Sequence, residues 1–186
     1  MALTNLFVGS NLKMSVPREE DAEVMARWQE DSEYLRNVDT DLAVPLSLKQ
    51  LEEEGMSVGS KEVYFRLRTL DADELIGFVA IHSIEWNNRC GMLAIGIGEA
   101  CNRGKGYGTE AVRLMLRYAF QEMNLYRVGL DVIEYNDKGI RAYEKAGFKH
   151  EGRSRAAVHR DGERVDRINM GILLPEWEEL YLKDRE

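Results

Sequence analysis

The stretch NRGKGYGTEA, from Asn102 to Ala111, separates two segments of different periodicity. It places three glycines, at positions 104, 106 and 108, between the strand-like run CGMLAIGIG at 90–98 and a following helical run. Glycine lets a backbone turn sharply and leaves its N–H groups open, and the N-terminus of a helix favours anions. The pattern therefore predicts a strand, a glycine-rich turn and a helix that together can hold a pyrophosphate. A tight turn without a ligand is the alternative.

Two other phosphate-binding motifs do not fit this turn. A Walker loop needs GxxxxGK followed by Ser or Thr, but Gly98 and Gly104 enclose five residues and Lys105 is followed by glycine. The dinucleotide fingerprint GxGxxG needs its third glycine one position later than Gly108. The amides of the turn and of the first helical residues therefore remain as the predicted phosphate-binding groups.

Runs with strand periodicity lie on both sides of the turn, and runs with helical spacing separate them. The predicted strands are NLKMSV, EVYFRLRTL, LIGFVAIHSIEW, CGMLAIGIG, YRVGLDVI and VDRINMGIL. The last strand is reached through a basic arm that includes Arg153, Arg155 and Arg160. Because three consecutive strands are joined by short turns, they favour an antiparallel meander.

Four helices are predicted between these strands. PREEDAEVMARWQED is opened by Pro17, and SLKQLEEEGMS is capped by Ser47 and ends near Gly55. The third follows the glycine turn and places Val112, Met115, Leu116, Ala119 and Met123 on one apolar stripe. The fourth, NDKGIRAYEKAG, is capped by Asn136. We predict one α/β (α+β) domain over residues 1–186, with a mixed, mostly antiparallel central sheet and helices on both faces.

The charge of the chain limits its partners. Its 186 residues carry 25 Lys and Arg against 33 Asp and Glu, a net charge of −8. Residues 1–62 hold 6 basic and 13 acidic side chains. Because binding to phosphate backbones needs clustered positive charge, this balance argues against a nucleic-acid partner. It favours a cationic partner near the N-terminal third, with a solvated acidic face as the alternative.

Targeting and metal-binding patterns are absent from the sequence. No apolar run approaches the roughly 20 residues that span a bilayer, and the N-terminus has no basic start followed by an apolar block. Cys90 and Cys101 have neither the number nor the spacing of a disulfide framework or a zinc site. We expect a cytoplasmic protein without membrane association, with free thiols and no metal.

The turn and the segments after it resemble one known family. Arg103-x-x-Gly106-x-Gly108 is similar to the Q/R-x-x-G-x-G/A signature of the GNAT acyl-CoA-dependent N-acetyltransferases. Further matches to the branch with ribosomal-protein and spermidine N-acetyltransferases are Asn136, Tyr143, Gly147-Phe148 and Glu151-Gly152-Arg153. The resemblance covers roughly residues 75–175, which it identifies as the acetyl-CoA-binding core. It is weak over residues 1–60, where the family builds much of its acceptor site.

The resemblance implies acetyl-CoA as co-substrate, with its pyrophosphate on the amides of the turn and its pantetheine arm along the preceding strand. The residues implied for coenzyme binding are Gly96, Ile97, Gly98, Arg103, Gly104, Lys105, Gly106, Tyr107, Gly108, Thr109, Asn136 and Tyr143. Tyr143 is also implied as the general acid that protonates the leaving thiolate. Three alternatives stay open. Tyr143 also fits a packing residue three positions after Ile140, Lys105 also fits a solvated loop charge, and Thr109 also fits an ordinary residue of the first helical turn.

The general base is harder to assign. Related sequences often carry an acidic residue in the strand before the glycine turn, but this chain has Met92 there. Glu85, in SIEWNN, is the preferred base or substrate anchor, with a solvated strand-end carboxylate as the alternative, and Glu99 is a second candidate. The three tryptophans, at 28, 86 and 177, could line an acceptor pocket or simply pack in the core.

Two functions are consistent with these features. The first is an N-acetyltransferase in which a primary amine attacks acetyl-CoA directly, the amine belonging to a protein N-terminus, a polyamine or a small molecule. The second is an acyl-CoA sensor or protein-interaction module on the same fold. Asn136 and Tyr143 favour the enzyme, whereas Met92 favours the module. We expect a monomer or homodimer.

Overall fold

The computed structural model describes residues 5–53 and 61–182, which form one seven-stranded sheet with helices on both faces. The strands are β1 (Leu12–Ser15), β2 (Val63–Thr69), β3 (Leu75–Glu85), β4 (Cys90–Ile97), β5 (Arg127–Ile133), β6 (Lys149–Arg160) and β7 (Glu163–Leu173). The helices are α1 (Asp21–Trp28), α2 (Ser32–Val38), α3 (Leu48–Glu53), α4 (Tyr107–Gln121), α5 (Asp137–Lys145) and α6 (Leu174–Tyr181). A short 3₁₀ turn, Ala100–Asn102, lies between β4 and α4.

The order of the strands across the sheet is β1-β2-β3-β4-β5-β7-β6. Neighbouring strands are antiparallel except for β4 and β5, which are parallel. That parallel pairing extends only from Cys90 and Arg127 to Met92 and Gly129. Beyond Met92, β4 and β5 are no longer paired, and a gap opens in the middle of the sheet. The predicted mixed, mostly antiparallel sheet and its β2–β3–β4 meander are confirmed.

Helix α4 supplies the centre of the main core. Its apolar stripe of Val112, Met115, Leu116 and Ala119 is fully buried, while Arg113 on the other face is exposed. These side chains share one core with Leu67, Val79, Ile81 and Leu93 of the sheet. The helical spacing that predicted this stripe therefore also predicted which face of α4 packs on the strands.

Helices α1 and α2 cover the opposite face of the sheet. A Cβ at Gly96 of β4 would lie 3.0 Å from both Tyr34 Oη and Val38 Cγ2 of α2, whereas the neighbouring Ile95 and Ile97 pack on the core that contains α4. Because successive strand residues point to opposite faces, α2 and α4 lie on opposite sides of β4.

The first helix begins later than its sequence predicts. The prediction that Pro17 opens it is wrong, because α1 begins at Asp21. The carboxylate of Asp21 accepts a hydrogen bond from the Arg18 amide at 2.9 Å and forms buried ion pairs with Arg66 and Arg68 of β2. These contacts fix the first residue of the helix against β2. They also explain why two arginines of β2 are buried, although the alternation of that strand suggests a charged outer face.

Two further elements were not predicted. Helix α2 has only seven residues, of which Tyr34 is buried and Leu35 and Val38 are partly buried against the same core. Strand β6 replaces the predicted basic arm, and most of it is exposed, so the usual alternation of buried and exposed residues is missing. The Ser47 cap is present, since Ser47 Oγ accepts from the Gln50 amide at 3.4 Å. Gly55, the predicted end of that helix, lies outside the described residues.

Candidate active site

A cavity of about 730 Å³ opens where β4 and β5 separate. Its walls come from α2, the end of β4, the glycine turn, the first turn of α4, and α5 with the residues before it. The volume is in the range of small-molecule sites, which span about 300–1,000 Å³. The sequence-predicted site residues that line it are Gly96, Ile97, Arg103, Gly104, Gly106, Gly108, Thr109, Asn136 and Tyr143.

The two glycines at the end of β4 are required by packing. A Cβ at Gly96 would lie 2.6 Å from Phe78 Cε1, and one at Gly98 would overlap the ring of Trp28. Gly98 itself does not line the cavity, and its amide donates to the Ile76 carbonyl at 2.9 Å. Both glycines therefore make room for side chains of α1, α2 and β3, and of the two only Gly96 lines the cavity.

The glycine turn presents backbone amides to the cavity. Gly104 and Gly106 have φ of 76° and 89°, a left-handed conformation that favours glycine. Gly106 caps α4, and no side chain caps this end of the 15-residue helix. A Cβ at position 104, 106 or 108 would have no heavy atom within 4 Å. Unsatisfied amides and the positive end of the helix dipole therefore meet at an open surface, which suits an anion.

Two residues predicted in this turn do not line the cavity. Lys105 is exposed, and the ring of Tyr107 packs against the main core.

Arg103 anchors the turn to its surroundings. Its Nε donates to the Ile97 carbonyl at 3.2 Å, and its Nη2 donates to the Gly98 carbonyl and to Asp31 Oδ2, the latter at 2.6 Å. Its guanidinium also lies 5.7 Å from the centre of the Tyr34 ring. Arg103 therefore holds the turn against β4 and α2, which is a positioning role.

Asp31 connects this anchor to helix α2. Its carboxylate accepts the Tyr34 amide at 3.1 Å as the N-cap of α2, in addition to the Arg103 guanidinium. Burial alone would raise the pKa of Asp31, but the hydrogen bonds from Tyr34 and Arg103 outweigh it and lower the pKa below its usual value. Asp31 is thus ionised at neutral pH, with both of its roles in place.

Asn136 and Tyr143 lie on the other side of the gap. Asn136 Oδ1 caps α5 by accepting the Gly139 amide at 3.0 Å, which leaves the Nδ2 group for a ligand. The Tyr143 ring is half-buried and packs edge-on against Phe148, with 6.0 Å between the ring centres. Burial, and to a lesser extent the negative charge of Asp131, raise the pKa of Tyr143 to about 12.

Helix α5 contributes three basic residues that the sequence analysis did not single out. Lys138, Arg141 and Lys145 all line the cavity. Their spacing of three and four places them on one face of the helix, a signal that was available in the sequence. With Arg103 opposite, they make this end of the cavity positively charged in a chain whose net charge is −8.

The predicted base lies away from the cavity. Glu85 ends β3, pairs with Cys90 at the β3–β4 turn, and is hydrogen-bonded by Asn88. This turn is at the end of β4 opposite to Ile97. The second candidate, Glu99, lies 3.6 Å from Arg27 Nε and does not line the cavity either.

The tryptophans do not form an acceptor pocket. Trp28 and Trp177 are buried in the two cores, and Trp86 is exposed beside Glu85. Within residues 5–53 and 61–182, no group of three or more His, Cys, Asp and Glu side chains could hold a metal ion. In the same part of the chain, no helix has the length and apolar character needed to cross a membrane.

Comparisons with known proteins identify relatives of this fold and site. The family model described as "Acetyltransferase (GNAT) domain" matches residues 11–149. The probable N-acetyltransferase YjcK of Bacillus subtilis is 37% identical over 122 residues, which cover 64% of this chain and 66% of that protein. The prophage-derived uncharacterized N-acetyltransferase YokL of the same organism is 29% identical over 179 residues, or 96% and 98% of the two chains.

The fold is shared with an experimentally solved enzyme. The spermidine N-acetyltransferase of Vibrio cholerae, solved in complex with CoA and spermine, superposes with a TM-score of 0.81. The match covers 91% of this chain and 99% of that one, at 23% sequence identity. At this identity the likeness supports the fold alone.

Proposed function

The chain belongs to the GNAT family of acetyltransferases, and on that premise we propose that it transfers the acetyl group of acetyl-CoA to a primary amine. The observation that carries the proposal is the cavity in the β4–β5 gap, which the glycine turn, Asn136 and Tyr143 line together. In this proposal residues 75–175 form the coenzyme core, and α2 belongs to the acceptor-side segment 1–60.

The residues of the cavity fit acetyl-CoA in two respects. The open amides around Gly106 and the positive end of α4 suit a pyrophosphate, and Lys138, Arg141 and Lys145 suit further phosphate oxygens. The unpaired edge of β4 at 95–97 offers backbone groups to an extended arm. Acetyl-CoA, when bound, supplies a thioester whose carbonyl carbon accepts the amine and whose sulfur leaves as a thiolate.

Tyr143 is the proposed hydrogen-bond donor to the leaving sulfur. It lines the cavity from α5, on the opposite side of the gap from the edge of β4. Its raised pKa keeps the phenol protonated at every physiological pH, so the hydroxyl can donate a hydrogen bond to the developing thiolate. The half-buried ring, packed on Phe148, limits where that hydroxyl can point.

Asp131 replaces Glu85 as the proposed acceptor of the amine proton because of its place at the end of the β4–β5 pairing, although its side chain does not line the cavity. It lies on β5 two residues beyond Gly129, the last residue paired with β4. Its neighbours Leu130 and Val132 are buried in the core with α4, so Asp131 points to the other face of the sheet. Its carboxylate lies 3.4 Å from Arg167 Nε. Its charge contributes to the raised pKa of Tyr143, which lies in α5 on the same side of the gap.

In this mechanism Asp131 and Tyr143 act from opposite faces of the sheet. An amine that approaches from the Asp131 face attacks the carbonyl carbon, and Asp131 accepts the proton that the nitrogen loses as the C–N bond forms. The C–S bond breaks on the opposite side, where Tyr143 donates to sulfur. Holding both reactants in one gap is itself a large part of catalysis of this kind.

We further propose that the acceptor is cationic, with polyamines as the first class to test. Glu33 is exposed and lines the cavity from α2, whereas the nearby Asp31 is already paired with Arg103. A free carboxylate at the acceptor side favours an ammonium group. The Vibrio cholerae enzyme with the same fold was solved with spermine, which makes polyamines a reasonable first choice.

The test is release of CoA thiol from acetyl-CoA with polyamines, N-terminal peptides, amino acids and aminoglycosides as acceptors. We expect at least one amine class to be acetylated, cationic acceptors to react best, and turnover to fall at least tenfold in Tyr143→Phe. Acetylation of neutral or anionic amines alone would contradict the cationic acceptor. If acetyl-CoA raises Tm but no acceptor reacts, the result contradicts the proposed acetyl transfer and supports a coenzyme-binding module.

A further inference from the structure

The end of the β6–β7 hairpin is joined to helix α2 across the gap. Arg160, the last residue of β6, donates from Nη2 to the backbone carbonyls of Asp39 and Asp41 at 3.1 and 2.9 Å. Arg36 of α2 pairs with Asp161, the next residue of the hairpin, with 2.6 Å between Nη2 and Oδ2. Because α2 packs on β4, whereas β6 and β7 lie beyond β5, these contacts connect the two halves of the sheet that the gap separates.

The hairpin reaches α2 because it is long and bent. Ile133, the last residue of β5, pairs with Arg167 of β7, so the rest of the hairpin extends past the end of β5. The pairing of β6 with β7 shifts within residues 154–158, where Asp166 Oδ1 accepts the Ala156 amide at 2.7 Å. Bulges of this kind bend a strand and increase its twist. The hairpin end therefore lies at the open end of the gap, where the residues that follow β5 also line the cavity.

The same contacts complete the C-terminal end of α2. A helix of seven residues is too short to be stable alone, and the carbonyls of its last turn have no partner inside the helix. Asp39 is the C-cap of α2, and the Arg160 guanidinium both binds its carbonyl and supplies the positive charge that this end of a helix favours. At the other end, Asp31 caps α2 and binds Arg103. Arginines of the glycine turn and of the hairpin therefore hold α2 at both ends.

We propose that Arg160 and Arg36 are positioning residues for the acceptor, because they hold α2 in place as the acceptor-side wall of the cavity. Neither arginine lines the cavity, so each acts through α2. The residues of α2 that line it are Glu33, Tyr34, Asn37 and Val38. The groups proposed for the coenzyme phosphates belong to the glycine turn and α5, so loss of the hairpin contact should affect the acceptor and not the coenzyme. This inference rests on the proposed function for the identity of the acceptor side.

The test uses two variants of the hairpin end. Arg160→Met keeps a long side chain and removes the guanidinium, and Asp161→Asn removes the charge that faces Arg36. Asparagine tolerates the left-handed backbone of Asp161, whose φ is 50°. Arg164→Met is the matched control, because Arg164 is an exposed arginine of the same hairpin whose side chain has no partner in the part of the chain that the structure describes. Arg160→Lys keeps the charge and serves if Arg160→Met does not fold.

Hydrogen–deuterium exchange measures the stability of α2 without any substrate. In Arg160→Met we expect the amides of residues 35–38 to exchange about three- to tenfold faster, the size of one hydrogen bond, with no change in the first turn of α4. The increase should be smaller in Asp161→Asn, because exposed ion pairs contribute little.

Steady-state kinetics and calorimetry measure the effect on the two substrates. With an amine that the acceptor panel shows to react, KM in Arg160→Met should rise by the same about three- to tenfold, while kcat and Kd for CoA stay unchanged. Arg160→Lys should recover part of the loss, and Arg164→Met should match the wild type in every measurement.

Three results would overturn the inference. Unchanged exchange of α2 in Arg160→Met would show that the hairpin does not hold the helix. Faster exchange with an unchanged KM for the amine would show that the contact supports the fold and not the acceptor. Equal weakening of CoA and amine would indicate a general distortion. If no amine is acetylated, the proposed function fails separately, and the exchange of α2 still decides whether the hairpin positions this wall.

Discussion

Tyr143 is better suited to hold a proton than to release one. With a pKa of about 12, full transfer of its proton to a thiolate of pKa near 8.5 would be uphill by about 5 kcal/mol. A hydrogen bond from the hydroxyl to sulfur has no such cost, and it strengthens as negative charge develops there. The amine releases one proton in the reaction and the thiolate takes up one to become the CoA thiol, so Tyr143 does not need to lose its own. In Tyr143→Phe the ring packing on Phe148 is kept, so a loss of turnover would report the hydroxyl alone.

Asp131 offers a test that combines chemistry with a spectroscopic measurement. In Asp131→Asn we expect the pKa of Tyr143 to fall because a nearby negative charge is removed, but to stay above 10 because burial is the larger cause. We also expect turnover to fall about a hundredfold, the usual size of a general acid–base contribution, with Kd for CoA unchanged. NMR titration of labelled tyrosine and steady-state kinetics measure the two effects.

The matched control for Asp131 is Glu151→Gln. Glu151 is ion-paired with Arg127 of the same strand as Asp131, so the substitution also removes a carboxylate from an arginine pair. We expect little change in turnover and none in the pKa of Tyr143. Equal losses of activity in both variants would mean that the ion pairs of this face matter only for stability, and Asp131 would lose its role as proton acceptor.

At the scale of elements, the glycine turn contains its own matched pair of variants. A Cβ at Gly106 or Gly108 would meet no atom within 4 Å, but only Gly106 has positive φ. Gly106→Ala should therefore cost about 1–2 kcal/mol of stability through backbone strain, and weaken CoA binding at least tenfold because the amides turn away. Gly108→Ala should leave stability unchanged or higher, with a smaller loss of affinity.

Urea unfolding and CoA titration distinguish these two glycine variants. If they were equally stable, or if Gly108→Ala lost more affinity than Gly106→Ala, the left-handed conformation of Gly106 would not be what shapes the turn. The comparison is informative because both added methyl groups project into open space, so steric overlap within the protein cannot explain a difference.

Asp31 connects helix α2 to the turn, and its two roles can be separated. Asp31→Asn keeps a residue that caps helices well but removes the charge that faces Arg103, whereas Asp31→Ala removes both and should lose about 1 kcal/mol more. The lowered pKa of Asp31 means that its contribution is present above its unfolded pKa, near 3.9, and is lost as pH falls through the folded value.

The stability difference between wild type and Asp31→Asn should therefore be fully present at pH 7 and become smaller as the pH falls below about 4. Thermal unfolding of both proteins at several pH values measures it. A difference that stayed constant down to pH 3 would show that the ionised carboxylate does not contribute, and that Asp31 acts only as a hydrogen-bonding cap.

The sequence predicted those features whose pattern lies within a single helix, strand or turn, and it missed those that depend on contacts between elements. The stripe of α4, the caps at Ser47 and Asn136 and the β2–β3–β4 meander are local patterns, and they were predicted correctly. Strand β6 was missed because most of its residues are exposed on both faces, so no alternation of apolar side chains marks it. The burial of Arg66 and Arg68 depends on Asp21 from another element, which spacing within β2 cannot reveal.

The same distinction applies to the candidate site. Gly106, Asn136 and Tyr143 belong to a local motif and line the cavity, as the resemblance implied. Glu85 was chosen from its place near a strand end, and the register of β3 and β4 puts that end away from the gap. Asp131 could be proposed only after the end of the β4–β5 pairing was known, because the gap is a property of two strands that are distant in sequence.

For the whole molecule, the acidic composition has a consequence for stability. Several carboxylates have lowered pKa values because they accept hydrogen bonds or face arginine and lysine; they are Asp31, Asp71, Asp73, Glu110, Asp161, Asp166 and Glu176. For each of them the unfolded state binds a proton more readily than the folded state. Acid therefore favours unfolding, and neutral pH does not.

Asp73 extends the acid-induced loss of stability to the lowest pH values, because its pKa is strongly lowered. Hydrogen bonds from Arg18 and Lys13 lower its pKa to about 2, and both ion pairs have N–O distances of 2.8 Å. At constant ionic strength we expect Tm to change little from pH 7 to pH 5, to fall from about pH 4.5, and to keep falling towards pH 2.

In Asp73→Asn the decrease of Tm below pH 4 should be shallower, since a group that protonates only in this range has been removed. Differential scanning calorimetry of both proteins measures this. A Tm that fell mainly between pH 7 and pH 5, or an unchanged slope in the variant, would mean that the paired carboxylates do not control acid unfolding.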